Sequence, residues 1–480
     1  MFKEPAIRLT WFYALSLLFI LLNGYMMVKK ETMLFSLLPV VLLMILVAVF
    51  STDRLLYLIT FFTPLSVPLS KLVYGLPFDM FLPTEPLIFG LLLLFVLRLA
   101  GTRSFDAPLL QHPISMAVWA LLFWILITTI TSTMPLVSVK FLLVRIWFIV
   151  VFYLMAYKLF DDAVNFRRFV WIYISGLLLV IGYTIFRHSG YGLFNKQAAH
   201  WVMTPFFNDH TSYGAVLAMF IPVIAFFSFG KYAPTQRKWL ARGIFGILLI
   251  AFVLSYTRAA WLSLIVAIGI WVLMLLKIRF RSMVISAVVL IGLVFTFQQQ
   301  IVHYLERNDD ESSSNLLEHF SSMSNITSDA SNLERLNRWG AAYRMFQEKP
   351  FWGFGPGTYM FKYAPYQLTR DKTIISTNMG DAGNAHSEYF GPLAESGIFG
   401  FITMLLLMTA VLYTAISAYT RLEPGYHRGL LLAVFLGLLT YYVHGVMNNF
   451  LDTDKVAVPF WSFTAVVVWI DLRSRSAKQA

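Results

Sequence analysis

Cysteine is absent from the 480 residues, which excludes a disulfide framework, a thiolate nucleophile and a thiolate-ligated metal. Charge is scarce as well. Only 13% of the residues are Asp, Glu, Lys or Arg, against about 25% in a soluble globular domain. The usual signatures of soluble enzymes are missing: there is no Gly-rich phosphate loop closing on Lys-Ser/Thr, no H-E-x-x-H and no G-x-S-x-G. Long hydrophilic stretches are nearly missing too, the exception running from Ile301 to Glu388.

What fills the rest is apolar. Hydrophobic residues make up 58% of the chain, in recurring runs of about 17–25 residues that suffice to cross a bilayer as helices. This pattern predicts an all-α polytopic membrane protein. Spans are expected near 10–28, 33–50, 54–73, 85–100, 114–133, 140–159, 168–187, 209–229, 240–256, 259–276, 282–300, 389–418, 429–447 and 456–472. The proline-bearing 54–73 and 85–100 are the weakest of these, so the total is 12–14. Residues 1–300 would hold about eleven helices, 301–388 a loop domain and 389–480 about three more. The first run reads as a retained helix, not a cleaved signal peptide, because further spans follow it.

The net charge of +12 is unevenly spread. Residues 301–388 carry 8 basic and 11 acidic side chains, leaving 29 and 14 for the remainder. With a cytoplasmic N-terminus, alternate short loops collect 20 of the 37 basic residues, among them Arg98/Arg103, Lys231/Arg237/Lys238/Arg242 and Arg473/Arg475/Lys478. That bias is the positive-inside pattern, not a nucleic-acid footprint. It puts both termini in the cytoplasm and the long loop outside. Within the loop, Asn308–Asn332 is polar. Leu333, Leu336, Trp339/Gly340, Tyr343 and Phe346 then recur at helical spacing, predicting a helix that ends at Pro350 and docks an apolar face over the outer mouth of the bundle.

Candidate chemistry gathers at the outer face. His386 sits where the loop meets the next span, with the near-neutral pKa that suits proton transfer. Glu388 and Glu395 follow it, either orienting the histidine or serving as polar residues of a helix start. Arg258 lies in the tight hairpin Tyr256-Thr-Arg-Ala-Ala-Trp261. Its guanidinium fits a phosphate clamp or a snorkelling anchor to lipid headgroups. Arg145 inside a span requires a polar cavity or an acidic partner. Arg335 and Arg338 on the docking helix fit a solvated face or a contact to sugar or phosphate. Arg187, Lys196, His200, Asn208, Asp209 and His210 flank a second outer loop, and Asp452 and Asp454 a third.

The order of these motifs resembles the O-antigen ligase/O-antigen polymerase superfamily of bacterial membrane glycosyltransferases. His386-Ser387, nine residues and Gly397-Ile-Phe-Gly400 match its H-[N/S/Q]-x9-G-x-x-G frame. Arg335-Leu-Asn-Arg-Trp339 and Pro350-Phe-Trp-Gly353-Phe-Gly355-Pro-Gly357 are similar to its R-x3-W and glycine runs, and Arg258 to its S-R-x-x-W hairpin. The motifs cover about residues 250–402. The resemblance implies a GT-C-type, metal-independent and cofactor-free transfer at the periplasmic side of the bacterial inner membrane. The donor would be a glycan on undecaprenyl diphosphate, and His386 the general base on an acceptor hydroxyl. Arg258 would hold the diphosphate with a second cation. Where the family carries an arginine before the Phe206-Phe-Asn208 segment this chain offers Lys196 and His200, so Arg145, Arg187 and Arg338 are the candidates for that second cation. Glu388, Arg335 and His200 remain for acceptor contact or orientation. Lipid A-core, another lipid-linked glycan and a protein hydroxyl are the open acceptors, with the ligase expected. A lipid or glycan transporter without chemistry is the competing class.

Overall fold

The computed structural model describes residues 4–29, 34–39, 51–71, 79–102, 106–234, 237–276, 282, 285, 330–369, 372, 376 and 383–479. Nearly all of the expected span 282–300, most of 33–50 and the polar segment before Ala330 lie outside them. Residues 1–58 and 59–480 form two compact units. In the first, helix α1 (Glu4–Lys29) packs against the turn Leu34–Leu37 through stacked Phe19 and Phe35 rings 5.4 Å apart and a 2.9 Å Ser36–Asn23 hydrogen bond. Helix α2 (Thr52–Phe62) crosses the boundary.

The second unit is a helical bundle, and the chain is a multi-pass membrane protein. Its long helices are α3 (Thr84–Thr102), α4 (Pro113–Ile130), α5 (Pro135–Leu159), α6 (Ala163–Ser189), α7 (His210–Phe229), the shorter α8 (Lys238–Leu254), α9 (Arg258–Leu275), α11 (Phe390–Arg421), α12 (Tyr426–His444) and α13 (Asp454–Gln479), all but α8 being candidate spans. Among the described residues nine helices are long and apolar enough to cross a membrane. Helix α10 (Ala330–Glu348) stands between α9 and α11 in sequence and is too polar to be a span.

One expected span is replaced. In 54–73 the helix stops at Phe62, and Val67–Pro68 pairs antiparallel with Phe81–Leu82. Pro64 and Pro68 explain the break, because each lacks a backbone donor and clashes with a preceding helical turn. The run 85–100 shows the opposite outcome. Its Pro86 falls in the first turn of α3, where no backbone donor is required, so the helix forms intact.

Burial sorts the helices by role. Of the apolar stretch of α13, 94% is buried, while α3 and α9 are 28% buried and present Leu97, Ile265 and Ile268 outward. A helix apolar on every side is stable inside a bundle or facing lipid. Here α13 takes the inside position. Helix α5 contains a π-helical segment, Val150–Met155, whose Tyr153 hydroxyl meets Ser115 Oγ at 2.5 Å.

The glycine runs prove to be a backbone knuckle. Gly353, Gly355, Gly357 and Gly397 all have φ between +63° and +114°. Gly397 breaks the helical path of α11, and the segment after α10 hydrogen-bonds into that break: Phe354 N to Ala394 O (3.2 Å), Gly355 N to Glu395 O (2.8 Å) and Ile398 N to Pro350 O (2.9 Å). A Cβ at Gly353 would overlap the Glu395 backbone, and one at Gly397 the Phe351 carbonyl. Trp124 of α4 closes the knuckle by donating to Ser396 O at 2.8 Å and stacking on Trp352. Gly397→Ala therefore combines a strained φ with a backbone collision. We expect it to cost about 2–4 kcal/mol, measured as thermal unfolding in detergent, while Gly246→Ala, with open space around it, stays within about 1 kcal/mol of wild type.

Candidate active site

The N-termini of α7 and α13, helix α10, the loop before α11 and the α12–α13 link border one polar cavity. Its volume is about 340 Å³, and its lining includes Asn208, Asp209, Arg338, Asn384, His386, Asn449, Asp452 and Lys455.

His386 owes its position to local hydrogen bonding. Its φ of +47° is the left-handed region that a β-carbon disfavours. Asn384 Oδ1 holds the turn by accepting from His386 N at 3.1 Å, and Trp339 Nε1 donates to the His386 carbonyl at 3.4 Å. Ser387 Oγ accepts from the N–H groups of Tyr389 and Phe390 (3.2 and 3.3 Å), capping the first turn of α11. The His386 ring makes no hydrogen bond among the described residues and lines the cavity. Burial, then the positive charges of Arg338 and Arg335, push its pKa down to about 4, with Asp209 and Glu334 opposing. The imidazole is neutral at pH 7, the form in which a base accepts a proton.

Helix α10 delivers the arginines, on a face other than the apolar one expected. Leu336 and Tyr343 are exposed, whereas Glu334, Asn337, Arg338, Ala341, Ala342 and Met345 are buried. The alanines allow close approach to the cluster of Phe354, Tyr359, Tyr363, Ala385 and Ala394. A helix closing over a polar cavity must satisfy its inward charges. Arg338 accordingly pairs with Glu334 (Nε–Oε1 2.7 Å), donates to Asn384 O at 3.1 Å and lies 5.0 Å over the Tyr363 ring. Gly383 leaves room for this guanidinium, which a Cβ there would overlap. One turn earlier, Arg335 donates to Met447 O at 3.2 Å. Burial and then the charge of Arg258 lower the Arg335 pKa, while Asp209 raises it.

Arg258 starts α9. Thr257 ties that hairpin to α7 by donating to His210 O at 2.7 Å and packing where Gly214 has no side chain, and Trp261 donates to Phe252 O at 3.2 Å across the hairpin. Asp209 caps α7 by accepting from Ser212 N at 2.8 Å. The same carboxylate acts electrostatically on His200, His210, Arg335, His386 and His444. His200 stacks on His210, with ring centroids 4.2 Å apart, and feels Lys196 and Arg258. His200, Arg335 and His386 thus share an electrostatic neighbourhood with Asp209, in which Arg258 acts on His200 and Arg335, and Arg338 acts on His386.

The remaining candidates are elsewhere. Arg187 donates to the carbonyls of Thr204 (2.5 Å) and Val202 (3.2 Å) and lies against Tyr183 and Trp201. Arg145 donates to Leu451 O at 3.1 Å and, with Glu388 and Glu395, lines a separate cavity of about 40 Å³. Glu388 is a staple. One of its oxygens accepts from Phe450 N (2.8 Å), Leu451 N (2.9 Å) and the Tyr441 hydroxyl, holding the α12–α13 link beside the histidine loop. Glu395 accepts from Tyr359 N at 3.0 Å within the knuckle.

Three contributors escaped the sequence reading: Asp209 as the common counter-charge, Asn449 and Lys455. The helix-cap spacing Asp209-x-x-Ser212 was a visible signal for the first. Lys455 pairs with Asp454 at 3.1 Å, and Asp454 accepts from Ser66 and Thr84 at 2.5 Å. A buried ion pair in the first turn of an apolar span demands such partners.

The cavity sets the neutral imidazole of His386 beside the Arg338 guanidinium, with Arg335 also acting on the ring. No curated protein matches the chain. Residues 243–405, about a third of it, match the family model for O-antigen ligase, a stretch that contains Arg258, Arg335, Arg338 and His386. That match supports placing residues 243–405 with the O-antigen ligase superfamily.

Proposed function

We propose that this protein transfers a glycan from undecaprenyl diphosphate to the hydroxyl of lipid A-core at the periplasmic face of the inner membrane. The observation that carries the reading is the shared cavity of His386 and Arg338, with Arg258 and Arg335 in electrostatic contact beside it. His386 takes the proton of the acceptor hydroxyl, whose oxygen bonds to the anomeric carbon as the bond from that carbon to the diphosphate breaks. Negative charge then grows on the departing lipid diphosphate. Arg258 and Arg335 meet it, and the guanidinium fork matches phosphate oxygens. The donor is already activated, so positioning, one base and leaving-group stabilisation are the work required, without a metal. Positive-inside charge bias supports cytoplasmic termini and an outward-facing cavity.

The test is reconstitution of purified protein in liposomes with lipid-linked O-antigen and lipid A-core, with and without chelator. Chelator-insensitive appearance of glycan on lipid A-core is expected. A deletion strain that still carries full-length O-antigen on lipid A-core would overturn the ligase reading. Elongated lipid-linked glycan in the reconstituted system would mark a polymerase instead.

A further inference from the structure

A second cavity, of about 450 Å³, lies at the other end of the bundle from His386. It is bordered by the first half of α6, the C-terminal end of α7, the following link and the start of α8. Helix α7 places the two ends about 30 Å apart, at 1.5 Å per residue. Trp171, Ile174 and Leu178 recur at helical spacing along α6 to form one wall, and Phe227, Ala241 and Ile244 form the other. Trp171 and Phe227 rings meet at 5.8 Å. Arg167, one turn before Trp171, and Arg237, at the start of α8, border the same cavity. Neither guanidinium makes a hydrogen bond or ion pair among the described residues. Arg237 is exposed, with a φ of +61°.

An apolar trough with two cations at its rim is complementary to one class of molecule in a bilayer. The geometry points to a binding site for an anionic glycerophospholipid, its acyl chain lying between α6 and α8 and its phosphate bridging Arg167 and Arg237. The volume falls within the range of roughly 300–1,000 Å³ typical of ligand pockets. Basic pockets between transmembrane helices recognise anionic headgroups, and guanidinium binds phosphate in a two-pronged fashion. A zwitterionic lipid would fill the trough equally well but would bring its own cation to the arginines, so headgroup charge decides occupancy. The site is separate from the transfer cavity and does not rest on the transfer chemistry.

Native mass spectrometry of the full-length protein in detergent tests this, with phosphatidylglycerol, phosphatidylethanolamine and a polyprenyl phosphate offered at equal mole fraction. Retention of phosphatidylglycerol over phosphatidylethanolamine by about 30-fold is expected, from two arginines at roughly a five-fold factor each near a membrane surface. Arg167→Gln/Arg237→Gln should bring the ratio near parity, Arg167→Lys/Arg237→Lys should keep most of it, and Arg168→Gln should leave it unchanged. Should the double variant fail to fold, Arg237→Gln alone carries the test, with about a five-fold loss expected. Parity in the wild type, a preference that survives removal of both charges, or polyprenyl phosphate displacing phosphatidylglycerol would each overturn the assignment.

Discussion

Replacing His386 with alanine should lower the rate of glycan transfer by about 10²–10⁴-fold, the range contributed by a positioned general base, while membrane abundance and donor binding stay near wild type. Single-turnover transfer in liposomes measures the first and retention of labelled donor the second. A protein that only moved lipid or glycan needs no base, so unchanged activity in this variant would sink the transferase reading. The pH profile adds an independent check. In the free protein His386 is held at about 4 by burial and by Arg338 and Arg335. The base is therefore competent at every pH above that value, and kcat/KM should fall only as pH drops through about 4. If the proposed diphosphate binds here, it offsets the arginine field and restores basicity to the imidazole. The acid limb of kcat should consequently lie at higher pH than that of kcat/KM, since the former reports the substrate complex and the latter the free enzyme. Coincident limbs would mean that the anion does not bind near the histidine. Arg338→Gln removes the larger charge and should raise the limb of kcat/KM toward the ordinary histidine range.

The second large effect concerns the arginines. Arg258→Ala and Arg335→Ala should each reduce kcat by about 10²–10³, the loss typical when one donor to a developing anion is removed. The two guanidiniums are close enough that Arg258 lowers the Arg335 pKa. In the proposed mechanism they meet one anion, so the double variant should fall short of the product of the single losses. Arg258→Lys keeps the charge but loses the fork and should retain more activity than alanine. Arg187→Ala provides the contrast. Its guanidinium is committed to the Thr204 and Val202 carbonyls, and transfer should persist once loss of stability is corrected for. Equal loss at Arg187 and Arg335 would place the diphosphate elsewhere.

Hydropathy made most of the bundle readable, because length and apolarity are what a bilayer selects. It erred at 54–73, where apolar content alone could not show that Pro64 and Pro68 divide the run. The face of α10 was misjudged for a related reason. Periodicity identifies an apolar stripe, but this helix covers a polar cavity and buries Glu334, Asn337 and Arg338 instead. The motif frame singled out His386, which lines the cavity, and the contacts of its other positions emerged only in three dimensions. Ser387 caps a helix, and Gly397 opens α11 to the backbone of the preceding segment. Glu388, read as a possible orienting group, supports the α12–α13 link. Asp209 and Lys455 were inconspicuous as single charges in short loops, because their significance lies in neighbours hundreds of positions away, such as Ser66 beside Lys455.

The deep burial of α13 bears on biosynthesis. This helix follows every other contributor to the cavity in translation order, yet it forms the centre around which α5, α7, α11 and α12 assemble. Its first turn brings Lys455, and the link before it brings Asn449 and Asp452. A nascent chain halted before residue 454 lacks the bundle centre and, from the cavity lining, Lys455. Prematurely terminated polypeptides would therefore reach the membrane inert, and activity would switch on only as α13 is inserted.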